Sequence, residues 1–81
     1  MKRQELEVKC KYLALVLGVE FGEYNAPGGL MLDGANGGYK LQQVCANGRG
    51  VSNLTARYAP GVFGAILDGM IIGAELAKGD K

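Results

Sequence analysis

The chain has 81 residues, with nine basic and eight acidic side chains and a net charge of +1. This length predicts a single domain over residues 1–81, because a second hydrophobic core would not fit. Nucleic-acid-binding proteins usually carry a marked basic excess, so the balanced charge favours a protein as the partner. The sequence contains no histidine, which excludes imidazole bases, Ser-His triads and histidine metal ligands.

Apolar spacing predicts a first helix from about Arg3 to Leu17. One stripe carries its apolar residues at helical intervals: Leu6, Cys10, Leu13, Ala14 and Leu17. Gly18 stands where a C-terminal cap belongs. The last turns, from Tyr12 onward, are apolar almost all round, so we expect this end of the helix to be covered on more than one side.

The segment after this helix alternates apolar and polar residues over positions 19–24, which predicts a half-buried strand. Residues 25–29 contain Pro and Gly and interrupt it. Residues 30–32 are interpreted as either a short strand or a loop plug. Residues 33–38 are rich in Gly and Asn and predict a flexible turn.

The clearest local signal is Asn47-Gly48 between residues 39–46 and 49–57, because both turn residues accept positive φ in a two-residue hairpin. Such a turn would place Val44 opposite Val51, Leu41 opposite Leu54 and Tyr39 opposite Ala56. The register predicts a core face of Tyr39, Leu41, Cys45, Leu54 and Ala56. It predicts a wet face of Lys40, Gln42, Asn53 and Thr55, with Val44 and Val51 as an exposed apolar pair.

A second helix is predicted over residues 60–78, since Pro60 suits a first helical position. Small residues recur along it every four positions: Gly61, Ala65, Gly69, Gly73 and Ala77. An interior glycine costs a helix about 0.5–1 kcal/mol relative to alanine, so close packing along this row must offset the loss. Packing within the domain and packing on a second copy in a homodimer both satisfy this expectation.

A membrane span is a third alternative for this helix, and it fits less well. The apolar run over residues 59–74 contains Asp68, which is predicted to lie on a solvated face. Spanning a bilayer takes about 20 apolar residues. We therefore expect no membrane contact, and we assign close packing to the four residues Gly61, Ala65, Gly69 and Gly73.

The predicted order of elements indicates an α+β fold, a two-layer α-β-β-β-α arrangement with an antiparallel sheet and both helices on one face. This order resembles that of double-stranded RNA-binding domains, whose second helix opens with a basic cluster. Here that helix opens with Ala59-Pro60-Gly61, which carries no base. The resemblance therefore concerns topology and brings no RNA-binding residue with it.

No catalytic, metal or cofactor chemistry is predicted. Cys10 and Cys45 are 35 residues apart and are expected to be reduced, buried thiols. The glycine-rich residues 34–38 lack the Lys-Ser/Thr pair of a phosphate-binding loop. The N-terminal residues show no export signal, so we expect a cytoplasmic location in a bacterial cell.

Gly37-Gly38-Tyr39-Lys40-Leu41 resembles an element of the small accessory proteins of bacteriophages and prophages. The resemblance implies a protein that binds and inhibits a host protein complex, as anti-CRISPR proteins do. The shortage of hydrophobic core and the apolar end of the first helix favour a homodimer. Aromatic and arginine side chains are common anchors of such contacts. The predicted partner-binding residues are Tyr24, Lys40, Gln42, Arg49, Asn53 and Arg57.

Two other functions compete with this interpretation. Lys40, Arg49 and Arg57, with Tyr39 or Tyr58, would form a basic and aromatic strip suited to a small nucleic-acid-binding accessory module. A structural component of a virion or a membrane-associated protein is the third hypothesis.

Overall fold

A computed structural model describes residues 3–22, 26–46 and 50–79, and these form two helices and three strands in the order α-β-β-β-α. The strands form one antiparallel sheet in the order β1-β2-β3, which confirms the predicted α+β class. The elements are α1 (Arg3–Leu17), β1 (Leu30–Ala35), β2 (Gly38–Val44), β3 (Val51–Asn53) and α2 (Pro60–Gly79).

The end of α1 is fixed by a glycine cap, as predicted. Gly18 adopts φ +74°. Its N–H donates to the carbonyl of Leu15 at 3.2 Å, and the N–H of Val19 donates to the carbonyl of Ala14 at 2.9 Å. These two bonds form a Schellman motif, which satisfies carbonyl groups that the helix leaves unpaired. Val19 then packs against the core.

The first strand lies later in the chain than the sequence predicts. Within the predicted strand at residues 19–24, Phe21 forms a single parallel bridge with Leu30. Leu30 donates its N–H to Glu20 at 2.8 Å and accepts from the N–H of Gly22 at 2.9 Å. Residues 23 and 24 of that prediction lie outside the described part. The first strand is instead β1, which begins at Leu30. It includes residues 30–32, interpreted from sequence as a short strand or a loop plug, and it extends to Ala35, within the segment predicted as a flexible turn.

The turn between β1 and β2 is Asn36-Gly37, a second Asn-Gly pair that the sequence analysis did not identify as a hairpin. Asn36 has φ +52° and Gly37 has φ +74°, and Ala35 pairs with Gly38 across the turn. Positive φ at both central residues is the geometry of a two-residue hairpin whose twist matches the sheet. Residues 47–49, where the predicted hairpin turn lies, are outside the described residues.

The β2–β3 register agrees with the prediction and then changes. Val44 pairs with Val51, and Gln42 pairs with Asn53. Tyr39, however, pairs with Tyr58 rather than with Ala56. From Gln42 to Tyr39 is three residues, whereas from Asn53 to Tyr58 is five, so two extra residues bulge out after β3.

The bulge explains why two residues of the predicted core face are exposed. Leu54 and Thr55 both direct their N–H groups at the carbonyl of Leu41, at 2.8 and 3.3 Å. The Thr55 hydroxyl accepts from the N–H of Leu41 at 3.0 Å, where a regular ladder would supply a carbonyl. Leu54 is consequently 43 % exposed, and Ala56 is exposed as well.

A single cluster of buried side chains joins both helices to the sheet. Leu32 pairs directly with Leu41, and Leu30 lies two residues earlier on the same face of β1. The prediction that both helices cover one face of the sheet requires such a shared cluster. Its members are Leu6, Cys10, Leu13, Ala14, Leu30, Leu41, Phe63 and Leu67.

The two helices run in the same direction. The ammonium of Lys9 donates to the carboxylate of Asp68 at 2.5 Å, and the hydroxyl of Tyr12 donates to Glu75 at 2.7 Å. Both contacts advance toward the C-terminal end of each helix, which is possible because an odd number of strands separates the helices. Asp68, predicted to lie on a solvated face, is exposed and also contacts α1 through Lys9.

Candidate functional site

The outer face of the sheet places three of the predicted partner-binding residues together. Tyr39 and Leu41 point to the core side of β2, so the alternation of a strand directs Lys40 and Gln42 to the other side. Asn53 is the β3 partner of Gln42. The amide nitrogen of Gln42 donates to the amide oxygen of Asn53 at 3.0 Å, which fixes both side chains. We call Lys40, Gln42 and Asn53 the outer-face triad.

The exposed side chain of Arg57 lies against the β1–β2 hairpin. Its guanidinium pairs with the carboxylate of Asp33 at 2.5 Å. It also donates to the carbonyls of Gly38 at 3.2 Å and Ala35 at 3.4 Å. Asp33 is the β1 partner of Lys40, so Arg57 lies beside the outer-face triad and stabilises the hairpin that carries it.

Close contacts explain two glycines of the β1–β2 hairpin, Gly38 and Gly34. A Cβ on Gly38 would lie 2.9 Å from Cγ of Arg57 and 3.1 Å from the carbonyl oxygen of Tyr58. A Cβ on Gly34, the cross-strand partner of Tyr39, would lie 2.7 Å from the tyrosine ring. The ring of Tyr39 lies 6.1 Å from that of Phe63, centroid to centroid, and therefore packs on the core.

The apolar pair predicted to be exposed on the wet face is covered in the structure. Val44, predicted as one half of an exposed pair, is buried, and its partner Val51 is half-buried. Met31 on β1 is also buried on this side. Tyr24 and Arg49, the remaining predicted partner-binding residues, lie outside the described residues.

An open cavity of about 430 Å³ lies beside the end of β2, lined in part by Val44, Cys45 and Ser52. The Cys45 sulfur lies 3.6 Å from the Ser52 hydroxyl oxygen. Among the described residues that line this cavity, none is a carboxylate or an amine. Across the described residues, no three potential ligands meet as a metal site.

Cys10 is a buried, unreactive thiol. Its side chain belongs to the core and is fully covered. Burial raises the pKa of this thiol to about 12, with a further contribution from the negative charge of Glu7. Because the thiolate is the nucleophile, a thiol with this pKa packs as a small apolar group at neutral pH.

The outward surface of the two helices is a second candidate site. Gly61, Gly69 and Gly73 have open space where a Cβ would stand. Apart from the neighbouring backbone of the helix itself, no described atom lies within 4 Å of that position. Ala65 is exposed. The close packing expected within the domain is therefore not made by this row. The helix contacts the core through its other side, by Phe63, Gly64 and Leu67.

Large apolar side chains surround the small residues on this surface. Five of them are between 53 % and 71 % exposed: Val8, Leu15, Val62, Ile72 and Leu76. The spacing of Val8, Tyr12 and Leu15 gives a helical stripe opposite the buried one, a signal that could have identified the α1 part from sequence. We call these five side chains, with Gly61, Ala65, Gly69 and Gly73, the helical face.

By length and composition α2 is also apolar enough to cross a membrane, a property that the mostly buried core helices of soluble proteins share, and only 22 % of this apolar stretch is buried. Tyr12 and Glu75 lie at the edge of the helical face. The hydrogen bond to Glu75 raises the pKa of the Tyr12 hydroxyl, which favours the protonated donor. No protein-family model, curated protein or solved structure matches this chain.

Proposed function

We propose that this chain is a non-enzymatic binding protein that captures a bacterial protein complex through the outer-face triad of its sheet. The observation that carries the proposal is the arrangement of Lys40, Gln42 and Asn53 on neighbouring strands, with the Gln42–Asn53 hydrogen bond already formed. Side chains that are ordered before binding lose less conformational entropy on association. Inhibition of the complex by covering its functional surface is what the resemblance to phage accessory proteins suggests.

The surroundings of the triad support a rigid contact surface. Arg57 and its ion pair with Asp33 join the segment after β3 to the β1–β2 hairpin. Lys40 contributes a positive charge near the negative charge of Asp33. A surface that mixes both signs with amides suits the polar rim of a protein–protein contact.

The nucleic-acid alternative receives less support from the same contacts. The guanidinium of Arg57 is engaged by a carboxylate and by carbonyl groups, which reduces its capacity to bind phosphate. The ring of Tyr39 packs against Phe63 and under the guanidinium of Arg3, 5.8 Å from the ring centroid. Binding of a single strand by stacking requires aromatic faces open to the bases, and of the two tyrosines Tyr58 is the exposed one. This hypothesis therefore remains the second candidate.

A pair of matched charge reversals tests the proposal. Lys40→Glu changes the triad, and Lys11→Glu makes the same change at an exposed position of α1. With the tagged chain as bait in a bacterial lysate, we expect Lys40→Glu to lose the proteins that the wild type enriches and Lys11→Glu to retain them. Circular dichroism on both variants establishes that the fold is intact.

Equal enrichment by the wild type and by folded Lys40→Glu and Asn53→Arg variants would contradict the proposal. Binding to DNA and RNA is measured in parallel over a series of salt concentrations. An affinity for either that falls steeply with salt would favour the nucleic-acid module instead.

A further inference from the structure

We infer that the helical face is the interface of a two-fold symmetric dimer, with a second copy of this chain as its occupant. This inference does not depend on the proposed function, because the helical face and the outer-face triad involve different residues. It rests on the distribution of charge around α2, on the shape of the exposed surface and on its area.

Charge is missing from the side of α2 that faces away from the core. With 3.6 residues per turn, the exposed residues of that side fall within an arc of about 120° opposite Phe63 and Leu67. A solvated helix normally carries polar side chains there. In α2 this arc consists of Gly61, Val62, Ala65, Gly69, Ile72, Gly73 and Leu76.

The shape of this surface suits another helix. Val62, Ala65, Gly69, Ile72 and Leu76 follow one another at intervals of three, four, three and four residues, the spacing of a seam between paired helices. The small residues at its centre allow close approach, and bulky ones stand at both ends. Each interior glycine costs about 0.5–1 kcal/mol relative to alanine, and a closely packed partner helix would offset that cost.

The two carboxylates beside the seam each have a hydrogen-bond partner on α1: Lys9 contacts Asp68, and Tyr12 donates to Glu75. A carboxylate that already has a hydrogen-bond partner costs less to remove from water than one that has none. Helices that lie on lipid surfaces carry Lys and Arg on their polar flank, whereas this flank of α2 carries two carboxylates. The charge distribution therefore favours a second copy over a membrane.

Area indicates that both helices take part. At 1.5 Å per residue the 15 residues of α1 span about 22 Å, and two adjacent helices are about 20 Å wide, so their flat projection is about 450 Å². A stable interface buries about 800 Å² of accessible surface on each partner. Accessible area exceeds flat projection because side chains protrude, so an interface of this size needs the outward sides of both helices. Val8 and Leu15 of α1 thus belong to the interface.

Sedimentation equilibrium provides the main test. We expect the wild type to be a dimer and Ile72→Lys to weaken dimerisation about 100-fold or more, because the lysine would be buried without a partner. Leu54→Lys is the matched control: it makes the same change at an exposed apolar residue outside the helical face, and the dimer should persist. Lys40→Glu should also remain dimeric, which separates this interface from the outer-face triad.

Cysteine cross-linking tests the identity of the occupant. In a Cys45→Ser background, Gly69→Cys, at the middle of the seam, should form a disulfide between two copies on mild oxidation, since a disulfide requires Cα atoms within about 7 Å. Leu54→Cys in the same background should not. A wild type that stays monomeric at the highest soluble concentration would overturn the inference. So would binding of monomers to phosphatidylcholine vesicles that Ile72→Lys abolishes.

Discussion

The guanidinium of Arg57 pairs with the carboxylate of Asp33 across 24 positions of sequence. The same group donates to the carbonyl of Gly38, at the first residue of β2. One side chain therefore ties the segment after β3 to both strands of the preceding hairpin. Because the bulge leaves that segment with few ladder hydrogen bonds, Arg57 supplies contacts that the sheet itself lacks.

Replacement of Arg57 by leucine should lower the free energy of unfolding by about 1–3 kcal/mol, because hydrogen bonds to charged groups contribute in this range. Lys40→Leu, on the neighbouring strand, should change it by about 0.5 kcal/mol or less, as surface substitutions usually do. Urea denaturation followed by circular dichroism measures both. Equal effects of the two variants would show that the Arg57 contacts contribute little.

Gly37→Ala should destabilise the β1–β2 hairpin. Its φ of +74° lies in the left-handed region, where a residue with a Cβ loses about 1–2 kcal/mol. Asn36→Gly is the control, since glycine adopts the φ of +52° at that position without strain. Denaturation midpoints should fall for the first variant and stay close to the wild type for the second. A tolerated Gly37→Ala would contradict the observed turn geometry.

Alanine at Gly69 and alanine at Gly18 should change the free energy of unfolding in opposite directions. In the monomeric Ile72→Lys background, Gly69→Ala should raise the free energy of unfolding by about 0.5–1 kcal/mol, because the added methyl group meets open space. Gly18→Ala should lower it by about 1 kcal/mol, because it forces alanine into the left-handed cap. Thermal denaturation distinguishes the two. A loss of stability in Gly69→Ala would mean that this position is packed within the monomer.

Cys10 should make stability depend on alkaline pH. Its thiol has a pKa of about 12 in the folded chain against 9.0 in the unfolded one. Because the pKa is higher in the folded chain, the contribution of this thiol to the free energy of unfolding is complete below pH 9.0. It is lost as pH rises toward 12. We expect Cys10→Ala to be less stable at neutral pH and to show a smaller loss over this window.

Thiol titration of the native protein gives an independent measurement. An aromatic disulfide reagent at neutral pH should modify Cys45 quickly and Cys10 at the rate at which the core opens. Rapid modification of two thiols in the native state would contradict the burial of Cys10.

The helices could be predicted from sequence, and the strands only in part. The interval of apolar residues and Gly18 define α1 with the observed bounds, and Pro60 marks the start of α2. The chain contains two Asn-Gly pairs, and sequence does not show which pair joins which strands. The pairing of the strands depends on the backbone hydrogen bonds that Leu30 and the rest of β1 make, and these form only in the folded sheet.

The outer-face triad could be predicted from sequence, whereas the role of Arg57 and the position of the glycine row could not. Alternation along β2 was sufficient to place Lys40 and Gln42 together, and the register placed Asn53 beside them. The role of Arg57 could not be predicted, because the bulge after β3 changes which residues oppose β2. The position of the glycine row was also not predictable, since its periodicity is equally compatible with packing inside or outside the domain.

The bulge after Asn53 also decides how copies of this chain can aggregate. A straight, open strand edge invites another chain to add its own strand, and repeated addition produces fibres. Beyond Asn53 the outer strand of this sheet leaves the regular ladder, so an incoming strand would find two or three residues to pair with before the bonding groups turn away. Growth without limit is thereby discouraged at this edge of the sheet.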